Sequence, residues 1–135
     1  MKICVSSTGN TLDAPVDPRF GRCRDFLIVD SETMQFEAVP NIASGAMGGA
    51  GIQAAQMIAG KGVRALITGN VGPNAFQALS AAGIEIVTGA SGTVREVVEK
   101  YKRGELRAIG APTVGGHFGM GAGRGRGWRQ RWWEP

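Results

Sequence analysis

The sequence predicts one α/β domain built on a mixed sheet. From residue 52 onward, short apolar runs alternate with longer amphipathic ones, and glycine or proline marks nearly every junction. Before that point the runs are strand-like, joined by turns, with no helical period. A hairpin followed by strand–helix alternation gives the order β-β-β-α-β-α-β-α, with the later strands parallel and helices on both faces of the sheet.

Lys2-Ile3-Cys4-Val5-Ser6 reads as a buried strand running into the turn Ser7-Thr8-Gly9-Asn10. Residues 9–25 hold no clear period, and Pro15 and Pro18 argue against a long element. Phe26-Leu27-Ile28-Val29-Asp30 and Met34-Gln35-Phe36-Glu37-Ala38-Val39 read as the arms of a hairpin around Ser31-Glu32-Thr33, and Pro40 ends it. Four glycines in 44–51 then feed a helix with apolar Ile52, Ala55, Met57, Ile58 and Ala59, closed by Gly60. Residues 63–68 form a strand, 69–74 a turn with Pro73 near a helix start, and 75–82 a helix ended by Gly83. Residues 84–88 form the last strand. Residues 93–102 form a helix with Val94, Val97, Val98 and Tyr101 on one face.

The chain divides near residue 109. Of the 22 glycines, eight lie in the last 26 residues, and a net charge of +4 is carried mostly there. Residues 1–109 hold eleven Lys/Arg against ten Asp/Glu, whereas 110–135 hold four arginines against Glu134. The tail lacks an apolar period and should be flexible. Its Arg-Gly repeats with Trp128, Trp132 and Trp133 suit stacking on single-stranded nucleic acid, or docking on a partner or anionic surface. His117, alone in that tail, makes no metal site.

Cys4 and Cys23 do not form a metal-finger spacing, and the first apolar run is too short for a signal peptide or a membrane span. A cytoplasmic protein with reduced thiols is the expectation.

In sheets of this kind ligands bind beyond the carboxyl ends of the parallel strands. Four Gly- or Ser-rich segments should gather there: 6–10, 44–51, 69–74 and 89–92. The candidate ligand-binding residues are Ser6, Thr8, Met47, Gly48, Gly49, Gly51, Gly69, Asn70, Gly72 and Asn74, with Arg19 and Arg22 to neutralise an anion. A glycine loop entering a helix brings free backbone N–H groups and a partial positive charge to a bound anion. The same glycines also permit close helix–sheet packing, and 69–74 also suits plain turn and cap chemistry. Arg19 and Arg22 could equally be paired with Asp17 and Asp25. Met47 offers a soft thioether. Cys23, between Arg22 and Arg24, would be favoured as thiolate and is a candidate metal ligand; Cys4 reads as a core residue.

Met1-Lys2-Ile3 entering a strand, Arg19-Phe20-Gly21-Arg22 followed by Phe26, Gly48-Gly49-Ala50-Gly51-Ile52, and Gly69-Asn70-Val71-Gly72-Pro73-Asn74-Ala75 followed by Leu79 and Ala82-Gly83-Ile84 resemble the dinitrogenase iron–molybdenum cofactor family over about residues 1–105. The resemblance implies a ribonuclease H-like fold for residues 1–109. It also implies a role in binding or carrying anionic metal–sulfur clusters: nitrogenase cofactor precursors in some members, a molybdenum–copper sulfide cluster in another. Partners would then be metallocluster assembly or acceptor proteins, and the chain a monomer or weak homo-oligomer. Nuclease chemistry on such a fold needs carboxylates beginning on the first strand, and residues 2–6 have none. No nucleophile–base pair is visible either, so a non-enzymatic role is expected. A nucleotide- or phosphate-binding module using the glycine loop, or nucleic-acid binding through the tail, is the alternative.

Overall fold

The computed structural model describes residues 1–45, 49–110 and 112. Met47, Gly48, His117 and the flexibility and tryptophan stacking expected of the tail fall outside the described residues.

Among the described residues, five strands and three helices follow in the order β1 (Lys2–Ser7), β2 (Asp25–Asp30), β3 (Phe36–Pro40), α1 (Ala50–Ala59), β4 (Ala65–Ile67), α2 (Pro73–Ala81), β5 (Glu85–Val87) and α3 (Val94–Lys102). The expected order therefore holds. The strands lie side by side as β3-β2-β1-β4-β5. β1 pairs antiparallel with β2 and parallel with β4, and β4 pairs parallel with β5. β1 is central, which is why Ile3, Cys4 and Val5 form a continuous apolar run.

Side chains alternate across the sheet and build two cores. Cys4, Phe26, Ile28, Leu66 and Ile86 face α1 and α2, where Ala54, Ile58, Ala75 and Leu79 pack. Ile3, Val5, Leu27, Ile67 and Val87 face α3, meeting Val94, Val97 and Val98. Helices thus cover both faces.

Several details differ from the expected boundaries: the strands expected at 63–68 and 84–88 shorten to Ala65–Ile67 and Glu85–Val87. β3 begins at Phe36, not Met34, because Met34 takes a left-handed backbone (φ 63°) inside the hairpin turn. The segment 9–25, read as irregular, contains a 3₁₀ turn at Phe20–Arg22 whose Phe20 plugs the α1/α2 core and meets Phe26 with ring centroids 5.3 Å apart. α1 begins at Ala50, inside the glycine loop, and α2 at Pro73, where a missing N–H costs nothing. Among the described residues no helix is long and apolar enough to cross a membrane.

Candidate functional site

All three of these helices begin at the carboxyl edge of the parallel strands, as a strand–loop–helix order requires. That edge has two halves. On the α3 side the loops fill the space themselves: the Val16 N–H donates to Gly92 O (2.8 Å) and the Thr8 N–H to Pro15 O (3.0 Å). On the α1/α2 side a cleft of about 610 Å³ is left. Its walls are Pro18–Arg22, Gly49–Ile52, Asn70 and Gly72–Ala75.

Two glycines set the width of this cleft. A Cβ on Gly51 would lie 3.1 Å from the Ala75 Cβ, and one on Gly21 would lie 3.1 Å from the Gly51 N. Both residues must be small for the 3₁₀ turn and the two helix starts to converge. Gly49 is needed for its backbone instead. As N-cap of α1 it sits at φ 74°, the left-handed region that glycine enters without strain. The β4 exit is pinned to the far wall by the Asn70 N–H, which donates to Pro18 O (2.8 Å). A Cβ on Gly69 would come within 2.5 Å of Pro18 Cα, so only glycine allows this crossing.

Neither helix start has a side-chain cap. Helix geometry leaves the amides of Ala50, Gly51 and Ile52, and those of Asn74 and Ala75, without an intrahelical acceptor. Each start adds about half a positive charge. Arg19 and Arg22 stand on the opposite wall. Arg19 donates from Nε (3.1 Å) and one terminal nitrogen (3.0 Å) to the Asp17 carboxylate. Asp17 is buried, which alone would raise its pKa, but the hydrogen bonds and charge of Arg19 bring it below the usual value. Arg22 donates to Ser44 O (2.7 Å) and so ties the 3₁₀ turn to the loop before α1. Asn41, buried just after β3, donates to Gly21 O (3.2 Å) and Cys23 O (3.0 Å) and locks the same wall from behind. Among the described residues, the lining contains no His, Cys, Asp, Glu or Lys. Nor could any group of three His, Cys, Asp or Glu among them hold a metal ion. The described lining thus offers N–H donors and arginine charge rather than metal-ligating side chains.

Of the sequence candidates, Arg19, Arg22, Gly49, Gly51, Asn70, Gly72 and Asn74 line the cleft. Gly69 lies beneath it, fully committed to the Pro18 crossing. Ser6 and Thr8 are elsewhere: Ser6 Oγ donates to Asp17 O (2.6 Å) and lies 2.7 Å from Thr68 Oγ1, inside the protein. Thr8 Oγ1 donates to Pro15 O (3.0 Å) on the α3 side. The thiolate expected at Cys23 is corrected. The residue is 0% exposed, and burial pushes its thiol up to about 12, outweighing hydrogen bonds from Ser7 and Asn41. Arg22 and Arg24, its sequence neighbours, are exposed and so carry their charge at the surface. Missed by the sequence reading were Asn41 and the wall residues Pro18, Gly21 and Ala75. Gly21 sits inside the Arg19–Arg22 motif and so had a signal; a buried Asn closing a strand had none.

The structure is similar to the apo form of the orange protein from Desulfovibrio gigas, with 43% identity and a TM-score of 0.82 over 84% of this chain and 96% of that one. It is also similar to a NifB-like protein from Thermotoga, with 36% identity and a TM-score of 0.70 over 79% of this chain and 91% of that one. An uncharacterised protein of Methanocaldococcus jannaschii is 33% identical over 109 residues, covering 78% of this chain and 89% of that protein. Residues 1–104 match the family described as dinitrogenase iron–molybdenum cofactor, and the chain belongs to it.

Proposed function

We propose that the cleft binds an anionic metal–sulfur cluster, an iron–molybdenum cofactor precursor or a related Mo/Fe/Cu sulfide, and that the protein carries it without chemical change. The observation that supports this reading is the convergence of two uncapped helix starts beside Arg19 and Arg22, where the described lining has no His, Cys or carboxylate. Sulfido or oxo atoms on the cluster surface would accept the free N–H groups of α1 and α2. Each such contact with an anion contributes on the order of 0.3–1 kcal/mol, and more where partly buried. Among the described residues no nucleophile–base pair lines the walls, so they supply position and charge compensation only. Met47, beside the cleft in sequence, would add a soft thioether contact. The carrier would work in the cytoplasm with cluster-assembly or acceptor proteins as partners, and the 110–135 tail would act apart from the cluster domain.

Anaerobic titration with tetrathiomolybdate tests the reading. Saturable binding at one per monomer, with charge-transfer absorption perturbed on binding and competition from inorganic phosphate weak, is expected. No binding would sink it. Displacement by phosphate at equal concentration would turn the cleft into a phosphate site.

A further inference from the structure

We propose that the surface beside the cleft mouth, formed by Arg22, Arg24 and Ile42, docks an acidic segment of a partner protein that also carries an apolar side chain. The proposal rests on the cargo reading, since a carrier must meet its acceptor close to the opening through which the cargo leaves.

Three arginines fall within six residues, at 19, 22 and 24. Their counter-charges are placed asymmetrically. The side chain of Arg19 is 66% exposed and that of its partner Asp17 4%; for Arg24 and Asp25 the values are 72% and 9%. The carboxylates lie beneath and the guanidinium groups above, so the outer surface presents cations. Asp17 holds Arg19 by two hydrogen bonds and Ser44 O holds Arg22, while Arg24 only approaches Asp25 at 3.4 Å. An acidic partner thus meets one donor in the patch, Arg22, whose side-chain entropy is already partly spent.

The apolar part of the patch is Ile42, 86% exposed, the most exposed large hydrophobic residue among those described. It is not on a loose end. The Asn41 N–H donates to Arg24 O (3.0 Å), Asn41 Oδ1 accepts from the Ala43 N–H (3.1 Å), and Arg22 bonds Ser44 O (2.7 Å). Ile42 is thus held out on a braced turn between two arginines. A nucleic-acid surface would pair its cations with aromatic stacking platforms, but among the described residues Phe20 is buried in the core and Phe36 lies at the other end of the hairpin. A membrane surface would need a broader apolar face than one isoleucine.

Arg24 and Ile42 do not line the cleft, so docking and cargo binding are separable. The full chain is tested against a fluorescein-labelled peptide of Glu and Asp residues around one Leu, against the same peptide with Ser for Leu, and against an oligo-dT, by anisotropy at two salt concentrations. Arg24→Glu and Ile42→Asp should each weaken the Leu peptide about tenfold, the size of one lost anchor contact. Ile42→Ala should give a smaller loss, and the Ser peptide should bind the wild type about as weakly as the Leu peptide binds Ile42→Ala. Tetrathiomolybdate binding should stay unchanged in all three variants. Equal peptide affinity for wild type and variants, or loss confined to oligo-dT, overturns the docking surface. Loss of tetrathiomolybdate binding in these variants also overturns it, because the patch would then be part of the cargo site. A wild type that fails to bind tetrathiomolybdate but keeps the peptide pattern sinks only the cargo reading.

Discussion

α3 and the pair α1/α2 start at the same edge of the same sheet, yet their first turns are built to opposite ends. At α3 the Thr93 hydroxyl accepts from the Glu96 N–H (3.1 Å) and the Glu96 carboxylate accepts from the Thr93 N–H (2.8 Å), a complete capping box. The α3 start has spent its donors inside the protein, the Glu96 N–H on the Thr93 hydroxyl and the Val94 and Arg95 N–H groups on Ala14 O (3.0 Å) and Leu12 O (2.9 Å), and it carries a negative charge in its first turn. At α1 and α2 the N-caps are Gly49 and Gly72, which offer no side-chain acceptor, and neither first turn is acidic. A closed start is a structural joint; two open starts pressed together by Gly51 and Ala75 leave a site. The loops follow the same division, since 6–10 and 89–92 bond with their own surroundings while Asn70 and 72–74 line the cleft.

The largest expected effect concerns the wall behind the open half. With its thiol raised to about 12, Cys23 should react with iodoacetamide at pH 8 roughly a thousandfold more slowly in the native protein than in denaturant. Rapid native labelling would mean that the wall opens or that the thiol faces the cleft. The same shift has a sign for stability. A folded pKa above the unfolded value of about 8.5 stabilises fully below that pH, and the contribution is lost as pH climbs toward 12. Cys23→Ala should therefore flatten part of the alkaline fall in Tm.

Closing the open half mechanically comes next. Gly51→Leu should push α1 from α2, cost about 1–3 kcal/mol by overpacking, and weaken tetrathiomolybdate at least about tenfold. Gly49→Ala is the control: among the described residues, its chain neighbours aside, nothing lies within 4 Å of an added Cβ, so it should cost only the left-handed strain of about 1–2 kcal/mol and spare more of the binding. Similar binding losses in both would show that loop conformation, not cleft width, sets affinity.

Arg19→Gln should weaken the anion several-fold and leave Asp17 buried without its cation. Because Asp17 is depressed in the folded state, the pair stabilises above the unfolded carboxylate pKa of about 3.9 and the contribution fades as pH falls through the folded value. The stability gap between wild type and variant, measured by urea unfolding, should be full at pH 7 and shrink below pH 4. A gap that grows on acidification would reverse this assignment.

The smallest effect belongs to the closed half. Thr93→Ala should cost about 1 kcal/mol of stability and leave tetrathiomolybdate binding untouched. A binding loss there would erase the distinction between the two kinds of helix start.

How much of the site could be read in the chain follows from where the signals come from. Gly49, Gly51, Gly72 and Asn74 were legible because glycine, proline and asparagine at a helix start are local signals, written in consecutive residues. Ser6 and Thr8 were equally local in appearance, but their hydroxyls are taken up by the carbonyls of Asp17 and Pro15, eleven and seven positions along the chain. Cys23 misled for the same reason. Its sequence neighbours are arginines, while its spatial neighbours are Phe20, Phe26 and the Asn41 amide.

The sequence by itself determined the elements, their order and the family, because periodicity, turn residues and motif spacing act over a few residues. It also determined that no strand-borne carboxylate cluster was available on β1. Which of four similar loops would stay open was decided only by the tertiary structure. That choice depends on contacts between segments far apart in the chain: Gly69 crossing Pro18, Gly21 against Gly51, and Val16 bonded to Gly92. A hydrogen-bond donor is free for a ligand only after every internal acceptor has been placed, and that placement is a property of the whole fold.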